Sequence, residues 1–478
     1  LSDFNFVMNS NNDKFLSNAP AIQNAKLTDY GTLSFFNFLS TGDYSFQTGT
    51  DNATNYQVSY FNIKFYNSTS VDQDTLLAAG IDSAQVFVAS TLTDERNLIA
   101  CLNARGLRPK SYDNENHLSI VCLLIRPHFS GITDFNENLI DSLDIDSIIH
   151  PSDELAQEIV QIADIPGALD VQVFEQSQVY LVKVRVEEQA TMIGRKVRHL
   201  PLPENMILVL GKNSEGEIFI PNGESVFYED YTVTVMGYLK DIETFIYEMA
   251  FREDYRKLPK IVTIVGGGSV GNNVAHILAQ EEWDVRVIEQ NKEIIENACT
   301  ENNPIYFWGD GTDIDFLNKC RVEESSLLIA VTNSDERNLL VSLLGQYIGV
   351  ERIITRADRL SNEKVFEEIG IDVVRSARGA AIRKVVHQLI EDKPVRTELE
   401  HGDFQLIEMI LPERFLKKKV LELPQGAYFV IGTVVRNKHA FIPSGTTELH
   451  PKDKLLVIVD ENEAEDVRYI LTGARTEG

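Results

Sequence analysis

The chain has no long apolar run, few cysteines and far fewer basic than acidic residues, and each shortage closes off a class of function. Its longest apolar stretches, such as 118–125 and 261–265, fall well short of the roughly 20 residues that a membrane-crossing helix needs. No membrane span is expected. The four cysteines, Cys101, Cys122, Cys299 and Cys320, show neither C-x-x-C spacing nor a nearby histidine pair, so no zinc site and no disulfide framework is read, and a reducing compartment fits. Lys plus Arg number 44 against 72 for Asp plus Glu, a formal charge of −28. That balance argues against wrapping nucleic acid or coating an anionic lipid surface. No charged segment followed by an apolar one and a cleavage site opens the chain, so no secretory signal is read. The first residue is Leu rather than Met, which leaves an upstream segment open.

What is present is an ordinary globular composition, 43% apolar and 9% aromatic over 478 residues, enough for about three domains. An internal duplication organises it. Residues 81–102 (IDSAQVFVASTLTDERNLIACL) align without a gap to 322–343 (VEESSLLIAVTNSDERNLLVSL) at an offset of 241, with DERNL at the same place in each copy. A second echo, Phe219-Ile220-Pro221 and Gly223 against Phe441-Ile442-Pro443 and Gly445, follows at an offset of 222. The order is therefore A, B, A′, B′.

Unit A′, about 258–398, alternates short apolar strands (261–265, 283–289, 304–309, 326–332, 352–357 and 372–376) with helical stretches such as 270–280, 314–319, 336–347 and 364–369. Such alternation predicts right-handed crossovers and a parallel, doubly wound sheet. Units B (about 168–240) and B′ (about 402–472) carry period-2 strands with turn punctuation, which predicts compact α+β modules. The fold class is thus α/β, with two tandem Rossmann-like parallel-sheet domains, each followed by a small α+β subdomain. The corresponding boundaries are 1–165, 166–250, 251–400 and 401–478.

The strongest chemical signal is Gly266, Gly268 and Gly271, a G-x-G-x-x-G placed between the strand 261–265 and the helix 270–280. The first glycine permits a tight turn, the second lets backbone N–H groups approach a pyrophosphate, and the third lets the helix pack on the strand. An anion would lie at the helix N-terminus, over Ser269 and Val270, where unpaired amides and the macrodipole favour negative charge. Glu289 ends the second strand 23 residues after Gly266, where an acid accepts ribose hydroxyls and repels a 2′-phosphate. The expected ligand is NAD(H) rather than NADP. Gly309-Asp310-Gly311-Thr312 and Thr332-Asn333-Ser334-Asp335 follow the third and fourth strands on the same edge. Gly309, Asp310, Thr332 and Asn333 join the candidate site, with an N-cap as the other reading of the second segment. Arg356 ends strand five, facing either a phosphate or a neighbouring acid. No catalytic set and no metal set is read.

Unit A breaks the pattern. The offset puts Ala25 opposite Gly266 and Ser68-Thr69-Ser70 opposite Gly309-Asp310-Gly311, and the only early apolar strand is FNFVM, within the first ten residues. Residues 1–75 read as a diverged or loop-rich half-sheet without the site.

The tandem order, VTIVGGGSVG, the acid at the end of strand two, WGDGTD and IAVTNSDERNLL together resemble the bacterial Trk potassium-uptake regulators. Those are built from two regulator-of-potassium-conductance (RCK, or KTN) domains. The likeness covers 76–478 and is sharpest over 258–380. It implies a non-enzymatic, nucleotide-sensing regulatory subunit that is cytoplasmic and peripheral on the inner face of the cell membrane. It also implies a homo-oligomeric ring, dimer or tetramer, gating a potassium-translocating membrane subunit. Some members carry an Arg in the glycine loop that meets a terminal phosphate; Ser269 and Val270 stand there instead. That favours NAD(H) or ADP over ATP. Two alternatives remain: an NAD-dependent oxidoreductase, though the nine histidines are scattered, His276 and His387 within helical stretches, and the cytosolic gating ring of a channel whose pore lies outside this chain.

Overall fold

The computed structural model describes residues 4–9, 42–47, 60–67, 72–91, 93–109, 118–125, 143–174, 178–251, 259–298, 303–390, 396–399, 404–423, 428–437 and 439–472. Unit A contains β1 (Phe4–Asn9), β2 (Gly42–Gln47), β3 (Tyr60–Asn67), α1 (Gln73–Ala79), β4 (Val86–Ser90), α2 (Asp94–Leu107), β5 (Ser119–Leu123), β6 (Ser147–Ile149) and α3 (Pro151–Asp164). Unit B follows as β7 (Ala168–Phe174), β8 (Val179–Arg185), β9 (Met206–Lys212), β10 (Ile218–Phe219), β11 (Thr232–Gly237) and α4 (Leu239–Phe245). Unit A′ comprises β12 (Ile261–Val265), α5 (Ser269–Gln280), β13 (Asp284–Glu289), α6 (Lys292–Ala298), β14 (Ile305–Trp308), α7 (Ile314–Lys319), β15 (Leu327–Ala330), α8 (Asp335–Ile348), β16 (Arg352–Arg356), α9 (Leu360–Ile369), β17 (Val373–Arg375) and α10 (Ala377–Ile390). Unit B′ holds β18 (Arg396–Leu399), β19 (Phe404–Ile410), β20 (Lys418–Lys419), β21 (Phe429–Arg436), β22 (His439–Phe441), β23 (Glu448–Leu449), β24 (Lys454–Asp460) and α11 (Ala464–Thr472).

The chain divides into two compact bodies, residues 1–155 with 376–391, and residues 156–375 with 392–476. In the first, the sheet order is β2-β3-β1-β4-β5-β6. Strands β4, β5 and β6 run parallel, as the alternation predicts. The other half differs: β2 and β3 lie upstream of α1, where the sequence reading had FNFVM alone, and β1 pairs antiparallel with both β3 and β4. In YFNIKFYN the apolar residues alternate with Asn and Lys, so a search for continuous apolar runs passes over it. Antiparallel neighbours also need no crossover helix, and the Asn-, Ser- and Thr-rich stretches between these strands have low helix propensity. The positions opposite Gly266 and Gly309–Gly311, Ala25 and 68–70, lie outside the described residues, as do Cys299 and the side chain of His387.

One face of this sheet packs α1 and α2 through Leu76, Ala100 and Ala104 against Phe87, Ile120 and Cys122. On another core cluster Val88, Val121 and Ile149 meet Ala381 and Val385 of α10. A helix from far along the chain thus completes the first body, although the sequence places it at the end of A′. Its apolar side chains are buried by strands they do not follow.

In the second body the A′ sheet is wholly parallel in the order β14-β13-β12-β15-β16-β17, the doubly wound arrangement. All four residues of β15 are buried, as expected of a strand covered on both faces. Arg352, at the start of β16, sends its guanidinium to the carbonyls of Ile162 (2.7 Å), Ile165 (3.1 Å) and Ala168. These are the last carbonyls of α3 and the chain just beyond it, where a cation suits the helix dipole.

The B and B′ sheets are antiparallel, in the orders β10-β9-β11-β8-β7 and β18-β19-β24-β21-β22. They share one core: Leu181, Leu210 and Met236 pack with Phe404, Leu406 and Ile458. The echoed Ile220 and Ile442 both join it, and Tyr238 Oη donates to Ala440 O across it at 2.5 Å. The second echo is therefore the signature of an interface between two copies of one module within one chain.

Candidate nucleotide-binding site

The loops after β12 and β15 meet where the strand order reverses, which is where open α/β sheets form their binding crevice. Gly266 has φ +109°, and a side-chain carbon there would lie 2.9 Å from Thr332 N. Both the backbone conformation and the close approach require glycine. A methyl group at Gly271 would fall on Gly266 O, so the third glycine lets α5 sit against the loop. Gly268 differs from both, with φ −67° and ψ −170°, a conformation open to any residue. Nothing lies within 4 Å of where its Cβ would stand. The second glycine keeps a space that the protein itself does not fill.

Gly268 is also the N-cap of α5, and it supplies no side-chain cap. The first amides of the helix, those of Ser269, Val270 and Gly271, therefore depend on something else for satisfaction. An anionic oxygen placed over Gly268 meets that need. The residues fit a phosphate-bearing ligand.

Glu289 is only 9% exposed. Its Oε2 accepts the Gly267 N–H at 2.7 Å and its Oε1 accepts that of Asn291 at 2.7 Å. The carboxylate therefore fastens the glycine loop to the end of β13 while each oxygen keeps lone-pair capacity for a ribose hydroxyl.

The remaining candidates divide. Gly309 backs onto the Phe316 ring, and a side chain there would enter it, so its place is structural. Asp310 is exposed, and the Thr312 backbone N–H (2.9 Å), with the Thr312 hydroxyl (2.8 Å), holds its carboxyl below the usual range; Arg337 adds attraction. It stays ionised at the edge of the site. Thr332 is engaged internally, its N–H (2.8 Å) and hydroxyl (2.7 Å) both going to Asn338 Oδ1. Ser334 caps α8 by accepting the Arg337 N–H at 3.3 Å. Asn333 is exposed and accepts from Arg356, whose Nε pairs with Asp358 at 2.7 Å, the neighbouring-acid option for that arginine.

The sequence reading had no role for DERNL. In A′, buried Asn338 also donates to Thr332 O and to Arg356 O, while Asp335 accepts the N–H groups of Asp358 and Arg359 and the Asn362 amide. In A, Asn97 takes the Thr91 N–H and donates to Leu123 O, and Asp94 accepts the Ile125 N–H. The motif ties a helix start to the strand ends on either side of it. A signal was available: DERNL recurs in the copy that has no glycine loop, which points away from ligand binding.

Fold and site together define a Rossmann-type chain with a G-x-G-x-x-G loop after β12 and paired α+β modules. The TrkA-N domain matches residues 50–151 and 262–377, and the TrkA-C domain 181–249 and 406–472. A "Trk system potassium uptake protein trkA homolog 1" of Methanosarcina mazei is 30% identical over 368 residues, 74% of this chain and 86% of the relative. The chain belongs to the TrkA family. A TrkA homolog of Archaeoglobus fulgidus is 29% identical over 87% of this chain and 91% of its own length. Among solved structures, the GsuK RCK domain matches at TM-score 0.50 and 18% identity, covering 85% of each chain. A GsuK channel bound to NAD matches at TM-score 0.50 and 17% identity, over 85% of this chain and 70% of that one. These two matches speak to the fold.

Proposed function

We propose that this chain is the nucleotide-sensing regulatory subunit of a Trk-type potassium uptake system, acting without catalysis of its own. The observation that carries the proposal is the open space at Gly268 above an uncapped helix N-terminus, beside the buried Glu289. NAD(H) is the preferred ligand, because a carboxylate already accepting two N–H groups suits ribose hydroxyls and opposes a 2′-phosphate. ADP shares the same anchoring groups. The four modules of this reading span 1–165, 166–250, 251–400 and 401–478, and sensing resides in the third. A ligand can gate only by binding one conformation better, and a swing from 1:99 to 99:1 requires about 5.5 kcal/mol of such preference.

The subunit would sit at the inner face of the membrane, held there by a potassium-translocating protein partner. No helix among the described residues is long and apolar enough to cross a membrane. Ring assembly is supported by an apolar stripe on α8, Leu340, Leu343 and Tyr347, exposed at 44%, 38% and 80%, with Val365 and Ile369 on α9 also exposed. The duplication repeats the stripe on α2 as Ile99 and Leu102. Leu343→Arg together with Tyr347→Asp is expected to lower the sedimentation coefficient from that of a dimer or tetramer to that of one chain. A wild-type chain that already sediments singly at micromolar concentration removes the ring.

A calorimetric panel of NAD+, NADH, ATP, ADP and AMP tests the site, and absence of binding by all five overturns it. Glu289→Ala should weaken NADH by about 1–3 kcal/mol, since ribose contacts in a buried setting are lost. Loss of the Gly267 anchor acts in the same direction. Unchanged affinity would place the ribose elsewhere. The oxidoreductase reading is the alternative, and turnover of any small substrate with NAD(H) would favour it.

A further inference from the structure

One of the chain's two tryptophans is out of place for an ordinary surface residue. Trp283 is 8% exposed and donates its indole N–H to Asp164. Trp308 is 64% exposed, although burial of so large an aromatic side chain is favourable. It is the last residue of β14, the edge strand, and the register partner of Glu289.

The ring is nevertheless held in place. Its N–H donates to Gln290 O at 3.0 Å, and the Gln290 side chain accepts from Arg337 Nη1 at 2.7 Å. The residue just beyond the ribose acid is thus gripped on its backbone by an indole and on its side chain by a guanidinium. Neighbouring strands lie about 4.8 Å apart, comparable to the distance from ribose hydroxyls to the base they carry. A base attached to a ribose on Glu289 would have Trp308, its register partner, within reach across that spacing.

We infer that Trp308 is the stacking platform for the purine base of the bound nucleotide, read by its π face more than by hydrogen bonds. The inference rests on the glycine loop being a nucleotide site, and it deepens that reading. Stacking is tolerant of what lies beyond the base, so AMP, ADP and NAD(H) share this end and differ only in their phosphates and distal groups. The charge of Arg337 lies on the same side of the site, where Asp310 feels it.

The test uses indole fluorescence of the full chain, titrated with AMP and separately with nicotinamide mononucleotide. AMP is expected to quench saturably, and the mononucleotide without adenine is expected not to. Trp308→Phe should bind AMP within about threefold of wild type yet lose the quenching, because Phe still offers an aromatic face. Trp308→Ala should weaken AMP and NADH about tenfold, equivalent to about 1.4 kcal/mol. If Trp308→Ala binds AMP as wild type does while Gly268→Asp abolishes binding, the platform falls and the nucleotide site stands. Quenching by the nicotinamide mononucleotide alone also overturns the platform. If the wild type binds neither AMP nor NADH, the site itself falls, and the platform with it.

Discussion

Gly268→Asp is expected to abolish nucleotide binding while leaving the protein as stable as wild type or slightly more so. The two halves of that result have one cause. Gly268 occupies the N-cap of α5 in extended backbone with no atom near its missing side chain, so aspartate enters without strain. Asp is among the favoured N-cap residues, and replacing Gly by it is worth a few tenths of a kcal/mol. Its carboxylate would take the helix N–H groups that a ligand phosphate needs and would set a negative charge beside that phosphate, costing several kcal/mol. Affinity should fall by more than about a hundredfold. Thermal unfolding reads both effects together. The wild type should be stabilised by about 2.7 kcal/mol at a ligand concentration of a hundred times Kd, whereas the variant should show an unshifted apo transition and no response to ligand. An apo transition lowered by many degrees would mean that Gly268 is structural after all. Gly271 offers the contrast, because a side chain there meets Gly266 O and should destabilise the protein before any ligand is added.

Asn338→Leu is the second large effect, and it falls on stability. The substitution keeps the branching and the number of side-chain heavy atoms, though leucine is bulkier, and it strands the Thr332 N–H (2.8 Å to Asn338), the Thr332 carbonyl (3.0 Å) and the Arg356 carbonyl (2.9 Å). Each buried group left without a partner costs about 1–3 kcal/mol. A total of roughly 3–5 kcal/mol is expected, a large share of the stability of an ordinary domain. Denaturant midpoints measure it. Ligand affinity should fall as well, since Thr332 touches the glycine loop. Asn97→Leu makes the same cut in the first copy, at Thr91 and Leu123. It should destabilise to a similar degree and leave NADH affinity unchanged, because the glycine loop belongs to the other copy. Wild-type midpoints for both variants would refute the clamp.

These two residues also show what can be read from sequence. The place of Gly268 in the chain's course was legible, because the G-x-G-x-x-G spacing reports a local turn between a strand and a helix that a few neighbouring residues specify. The open space beside it, on which the proposed binding rests, was not. Whether a missing Cβ would meet the protein depends on atoms remote in the chain. Asn338 was visible as part of a repeated motif, but its partners include Arg356 O, supplied by the next strand, and a hydrogen bond from a helix to a strand end leaves no mark in composition. Trp308 and Gln290 were missed for a similar reason: exposure of one aromatic residue at a strand end is a three-dimensional fact.

The strand and helix succession of A′ was set by the sequence itself, as were the duplication at its fixed offset, the glycine loop and the buried acid at the end of β13. All of them follow from periodicity or spacing within a few tens of residues, where backbone geometry leaves few choices. Tertiary structure alone decided the antiparallel half of the first sheet, the placing of α10 on β4, β5 and β6, and the shared core of the B and B′ sheets. An apolar face specifies that it must be buried and does not name the surface that buries it. Where two copies of a module offer equivalent faces, as they do here, the chain's long-range packing makes that choice.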